Sequence, residues 1–323
     1  MRLRLLLAVF VNLAAATAIT AQIHYPPETR NAALRYWMAF AEMQDVSADK
    51  ATQELLEKTV SGEAAWDEKK LAPILDANKA AIAMMQRATK LPECDWGLEY
   101  REGPRASIAY APRARALSRL NTLEGMRQLA AGDSQAAVSS WLAGVHFSQD
   151  LARGGSLIFT LMAKATLLPN LRELTEAAKS EKLTERQKKQ VSAVIRALPE
   201  DGFDWGAAWG IESAGVVQFL NELQVASDPG AAYEAIMGSP APKQGLPPTA
   251  QDIHIYRDYM LAVQSALREP PEKTKVLLAG LEPKRAALNE VEQNITPNPQ
   301  KSNSTRIDIM AARTGLLQAL AKR

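Results

Sequence analysis

Residues 117–150 read LSRLNTLEGMRQLAAGDSQAAVSSWLAGVHFSQD, and this stretch decides the fold. Gly125 and Gly132 stand seven apart; Ala137, Trp141 and Gly144 follow at spacings that share one helical face. Gly132-Asp133 is a turn signal between two helical runs. One helix is therefore expected over about Pro112–Ala131, with proline comfortable in its first turn. A second returns over Ser134–Ala152, and together they make a tight helix hairpin.

The small residues of such a hairpin pack against an aromatic ring of the partner helix, so this segment resembles one tetratricopeptide repeat. The family's large first-helix positions are Asn121, Glu124 and Gln128 here, and its closing proline is Gln149. The match is thus incomplete and confined to residues 117–150. A generic antiparallel hairpin would place Gly-Asp at its turn equally well.

Helical patterning continues on both sides. Glu28–Gln44 carries Ala32, Leu34, Tyr36, Trp37, Phe40 and Met43 at three-to-four spacing. Ser47 is placed to cap a helix bearing Leu55, Leu56 and Val60. Glu63–Lys90 reads as helix bent or divided at Pro73 and closed by Leu91-Pro92. Glu93–Ala111 is irregular. Gly154-Gly155 breaks the chain and Ser156 caps an apolar helix through Leu168, expected as buried core. Thr184 and Gln187 form a capping box, and further helices are expected at Trp205–Val225, Pro229–Met237, Thr249–Leu267 and Pro271–Gln293. Thr296–Ser304 reads as a polar linker before a last helix, Thr305–Lys322, that buries Ile307, Met310, Leu317 and Leu320. Strand alternation and hairpin turn signals are missing. The expected class is all-α, with antiparallel helix pairs packed as a tetratricopeptide-like or α-solenoid-like bundle. The division expected is 22–237, a Pro-rich loop or hinge at 238–248, and a C-terminal helical part at 249–323.

Leu91-Pro92-Glu93-Cys94-Asp95-Trp96-Gly97 is echoed by Leu198-Pro199-Glu200 and Asp204-Trp205-Gly206, two helix-ending loops of similar design. With Asn31-Ala32-Ala33-x-x-Tyr36-Trp37 and Gly154-Gly155-Ser156-Leu157-Ile158, the chain is similar to a loosely defined group of exported helical bacterial proteins without an assigned activity. That resemblance implies location and fold and supplies no catalytic residue.

Arg2 and Arg4 precede the apolar run Leu5–Val11 and an Ala-rich stretch, the pattern of a secretory signal over residues 1–21. Cleavage is expected after Ala21 or after Ala18, giving a periplasmic or extracellular protein; retention as an anchor is the alternative. With Arg2 and Arg4 removed, 36 basic side chains face 36 acidic ones, a balance that argues against nucleic-acid binding. Cys94 is the one cysteine; no internal disulfide forms, and Glu93 and Asp95 beside it disfavour the thiolate.

Three constellations carry chemistry. Trp205, Trp209 and Glu212 fall along one helix face, where indole rings stack on sugars and a carboxyl in apolar surroundings becomes a general acid. Glu212 is accordingly the weak catalytic candidate. Arg101, Arg105, Arg113, Arg115 and Arg119 cluster within nineteen residues and suit an anionic glycan or lipid headgroup. His146 reads as a core or interface histidine, and His254 pairs locally with Asp258. No histidine spacing suggests a metal site, no nucleophile elbow or phosphate loop occurs, and no cofactor is implied. The favoured expectation is a non-catalytic helical scaffold that binds a protein or peptide. A cell-wall glycan enzyme or binder, and an anion or membrane-surface binder, are its alternatives.

Overall fold

The computed structural model describes residues 28–45 and 49–322. The secretory segment with its cleavage positions, His24, Pro26-Pro27 and Ser47 lie outside them. Among the described residues every regular element is helical, and the sole β contact is an isolated bridge between Asn31 and Glu93. The protein is all-α.

The first helix, α1 (Ala32–Glu42), is capped by Asn31, whose side chain accepts from the Ala33 N–H at 3.1 Å. Asp49 caps α2 (Lys50–Ser61), accepting from Thr52 N–H at 2.9 Å. Pro73 lies inside α3 (Glu68–Ala77), and the chain divides instead at Asn78, before α4 (Lys79–Ala88). The reason is side-chain competition for the backbone: Asn78 accepts from Gln44 N–H and donates to Ile74 O, each at 3.0 Å. After a 3₁₀ segment, Tyr100–Arg105, come α5 (Ala111–Ala130), α6 (Ser134–Ala152) and α7 (Leu157–Lys179). Asp133 caps α6 through Ala136 N–H at 2.9 Å. The predicted capping box opens α8 (Glu185–Ala197). Next are α9 (Trp205–Val225), α10 (Pro229–Met237) and α11 (Ala250–Ala266). Pro271–Gln293 is not one helix: it breaks into α12 (Pro271–Gly280), α13 (Glu282–Ala286) and α14 (Glu290–Ile295), with Asn289 capping the last through Glu292 N–H at 3.0 Å. The expected linker is mostly helix as well, because Asn298 caps and Pro299 occupies the first position of α15 (Pro299–Ala321). On it Ile309, Leu316, Ala319 and Leu320 are buried, Met310 and Leu317 are half-buried, and Ile307, expected inside, is exposed.

Asn31 onward forms one compact unit. At its centre α6 lies between α5 and α7; α15 packs on α7 and α8, α11 on α9, and α1 on α4. The Pro-rich stretch 238–248 therefore joins helices of the same unit. It is tied down by Gln224 Nε2 donating to Pro248 O at 3.3 Å and by Gln244 N–H donating to Glu290 at 3.3 Å.

The hairpin α5–α6 explains its own composition. A Cβ on Gly125 would lie 2.3 Å from the Trp141 Nε1, so only glycine lets the buried indole approach. That nitrogen donates to Thr122 O at 3.1 Å. Where a tetratricopeptide repeat would carry large first-helix residues, this chain builds a polar ladder. Asn121 donates to Ser140 O at 2.8 Å, Ser140 donates to Gln128 at 2.8 Å, and Gln128 donates to Glu124 at 3.0 Å. Gln86 from α4 donates to Asn121 at 3.0 Å and ties a third helix in. Buried amides satisfied in this way specify one packing of the helices.

The two loop echoes do different work. Asn31 donates to Asp95 O and accepts from Asp95 N–H, both at 2.8 Å, and Ala32 N–H donates to Glu93 O at 2.7 Å. The first loop thus clamps the start of α1. In the second, Asp204 caps α9 through Ala207 N–H at 2.8 Å, and Asp201 accepts from the buried Arg306 at 2.7 Å.

Candidate binding groove and apolar cleft

Two concavities take up three of the sequence candidates, Arg115 and Arg119 in one and Glu212 in the other. The first is a groove of about 870 Å³ between α2, α5, α7 and α15. Val60, Ala165, Leu168, Pro169, Leu171, Ala312 and Gly315 give it an apolar lining. Around them stand five acidic side chains (Glu54, Glu57, Glu63, Glu176, Asp308) and five basic ones (Lys58, Arg115, Arg119, Arg172, Lys179). Several are already paired: Arg119 with Glu57 at 2.7 Å across α5 and α2, Lys179 with Glu176 at 2.9 Å, and Asp308 with Lys164 at 3.3 Å across α15 and α7. Pro169 has no N–H to offer the Ala165 carbonyl one turn earlier, and both residues line the groove.

The second concavity is a cleft of about 500 Å³. One wall is the first turns of α7 (Leu157, Ile158, Leu161); another is the α9 face Ile211, Glu212, Gly215 and Val216; residues 98–108 close it. One close backbone approach and one side-chain hydrogen bond build this wall. Gly103 has φ 52° and ψ −128°, a conformation reserved for glycine, and a Cβ there would meet Gly215 O at 2.9 Å. Tyr100 OH donates to Gly154 O at 2.8 Å. A parallel stack of rings, Trp96 on Tyr110 at 4.5 Å and Tyr110 on Phe159 at 5.3 Å, backs the cleft, which Phe159 also lines.

Glu212 lies in this cleft. Burial raises its pKa, and a hydrogen bond from Leu157 N–H opposes the rise. Ser156 makes no side-chain cap, contrary to expectation, and the carboxyl of Glu212, from another helix, lies beside the Leu157 N–H at the start of α7, where the helix dipole favours a negative charge. Trp205 and Trp209 do not join Glu212: both rings are fully buried, donating to Asp201 O at 3.0 Å and to Ser302 Oγ at 3.2 Å. No indole face remains for a sugar, which removes the stacking platform expected of this helix.

The arginine cluster also disperses. Arg105 pairs with Glu222 at 2.7 Å, Arg113 with Asp45 at 3.2 Å and Arg119 with Glu57; Arg115 is exposed at the groove. Arg101 is exposed, and its carbonyl accepts from Gln218. Close sequence spacing does not bring these five into one anion site, because the 3₁₀ segment and α5 aim them at different neighbours.

Cys94 is half-buried, and burial first, then the charge of Asp150, push its thiol up to about 12. His146 is exposed on α6 rather than in the core; His254 and Asp258 pair at 3.6 Å on the surface. Among the described residues no group of three or more His, Cys, Asp or Glu is placed to hold a metal ion, and no helix is long and apolar enough to cross a membrane.

The groove escaped the sequence reading because its acids come from α2, the turn after it, α7 and α15, and its bases from α2, α5 and α7. The cleft left a trace, the apolar Leu157-Ile158 after Gly154-Gly155 and the carboxyl at 212, which the tryptophan spacing obscured. No family model matches this chain, and no curated protein or solved structure is detectably similar to it.

Proposed function

We propose that this chain is an exported, non-catalytic helical binding protein, and that the groove between α2, α5, α7 and α15 receives a segment of a protein partner. The groove's composition carries the reading. Equal numbers of acidic and basic side chains around an apolar floor suit a polypeptide, which presents both signs and apolar side chains together; a phosphate-rich or single-sign ligand would meet like charges throughout. The polar ladder that ties α5 to α4 and α6 holds one wall of the groove in place, which supports binding without large rearrangement. The helix hairpin of residues 117–150 and the secretory pattern of residues 1–21 support the same reading, a scaffold acting in the periplasm or outside the cell. Nucleic acid has no place in it.

The test is a photo-crosslinking residue placed at Ala312 or Thr175 in the groove, and separately at His146 on the exposed face of α6, followed by purification from the exported fraction. A discrete adduct from both groove positions and none from position 146 is expected. Adducts of equal yield at all three positions, or none in the groove, would end the proposal.

A further inference from the structure

The cleft beside Glu212 has a chemistry of its own, separate from the groove, which runs along the later turns of α7. Its volume of about 500 Å³ falls in the range of small-molecule sites. Four of the protein's exposed large apolar side chains, Tyr100, Ile108, Ile158 and Leu161, converge on it, whereas exposed apolar residues are ordinarily scattered. Among the described residues lining it, Glu212 carries the one formal charge. No ion pair to Glu212 exists among the described residues: the half-buried carboxyl stands in an apolar cleft with only the Leu157 N–H and the buried Tyr256 hydroxyl as polar neighbours, neither of them a cation. Such a group lacks a counter-charge, and a ligand that brings one gains a charge-assisted hydrogen bond in a low-dielectric setting.

We propose that this cleft binds a single-chain amphiphile with a cationic head, its alkyl chain lying between α7 and the 98–108 wall and its ammonium on the Glu212 carboxylate. The apolar walls supply affinity in proportion to chain length, and Glu212 selects the head. An anionic head is disfavoured because the cleft offers it a carboxylate and no base.

Calorimetric titration of the mature chain with n-alkylamines, n-alcohols and fatty acids of matched length, all below their micellar concentrations, tests this. Affinity for the amines should rise by roughly fourfold per methylene until the cleft is full. At equal length the amine should bind at least about tenfold tighter than the alcohol, with the fatty acid weakest. Glu212→Gln keeps an acceptor for Leu157 N–H; it should erase the amine preference while leaving the chain-length dependence. Ile158→Ser, at an exposed position, should weaken all three series several-fold. Absence of saturable binding by the folded wild type, equal affinity for the three heads, or an amine preference that survives Glu212→Gln would each overturn the assignment. The groove plays no part in these outcomes, so the partner-binding reading can fail without affecting them.

Discussion

Tyr36 donates a 2.6 Å hydrogen bond to the Asp150 carboxylate across 114 residues of chain. The same Asp150 supplies its carbonyl to the Trp96 indole at 2.7 Å, so one residue of α6 fixes both α1 and the loop that clamps it. Burial raises the Asp150 carboxyl to about 6, although Tyr36 and Arg153 pull the other way.

Asp150 therefore sets a pH dependence. The folded chain holds this proton more tightly than the unfolded chain does. Its contribution to stability is fully present below about pH 4 and is lost as the pH rises through about 6, a swing on the order of 3 kcal/mol. Asp150→Asn keeps an acceptor for Tyr36 and cannot ionise. Its stability relative to wild type should improve between pH 4.5 and pH 7.5, measured by urea denaturation at each pH. A difference that stays constant over that interval would show that Asp150 titrates normally.

Gly125 and Trp141 make the hairpin sensitive to a single methyl group. Gly125→Ala should destabilise by about 1–3 kcal/mol, since the indole is enclosed and has nowhere to retreat. Trp141→Leu costs stability by itself, but the pair Gly125→Ala, Trp141→Leu should cost less than the sum, because the ring is what the methyl meets. Strict additivity in thermal melts would refute the contact.

The hairpin was legible in the sequence for this reason: spacing alone brings Gly125 and Trp141 onto facing surfaces, and local turn chemistry fixes the connection. Asp133, Thr184 and Asn298 all act within three residues of themselves, which is the range that sequence patterns reach. Errors arose where a distant residue intervened. Asn78 divides a helix by reaching back to Gln44 as well as to its own turn, and Glu212 lies beside the start of a helix that begins 55 residues earlier. Trp205, Trp209 and Glu212 do lie along one helix, but the surroundings of each come from other elements, and periodicity carries no information about those. The arginines failed in the same way: Arg105, Arg113 and Arg119 are drawn to acids that their spacing could not foretell, and Arg101 and Arg115 are left exposed apart from them.

Arg306 is a charged side chain only 2% exposed. Its guanidinium donates to Asp201 at 2.7 Å, to Thr274 Oγ1 at 2.9 Å and to Glu269 O at 2.6 Å, joining α15, α12 and the loop before α9. Arg306→Met should cost about 3–5 kcal/mol, mostly from the partners it leaves unpaired. Arg306→Lys should recover little, since an ammonium cannot span three acceptors arranged around a planar fork. Equilibrium unfolding with unchanged denaturant slope is the measurement; a lysine variant as stable as wild type would contradict the geometry.

Gly103 bears on whether the cleft has a wall at all. Its backbone sits where alanine is strained by about 1–3 kcal/mol, and the atom opposite is the Gly215 carbonyl, which cannot rotate aside as a side chain would. The strain can be relieved by lifting the 3₁₀ segment off α9, to which Gln218 on Arg101 O and the Arg105–Glu222 pair anchor it, with Tyr100 holding Gly154 before α7. Since that pair is largely exposed and worth under about 1 kcal/mol, detachment is the cheaper route than unfolding the helices beneath. Gly103→Ala should thus leave the main thermal transition nearly unchanged while trypsin cuts faster after Arg101 and Arg105 in the native protein. Cleavage rates equal to wild type would mean that the segment tolerates a side chain, and that the wall does not depend on this glycine.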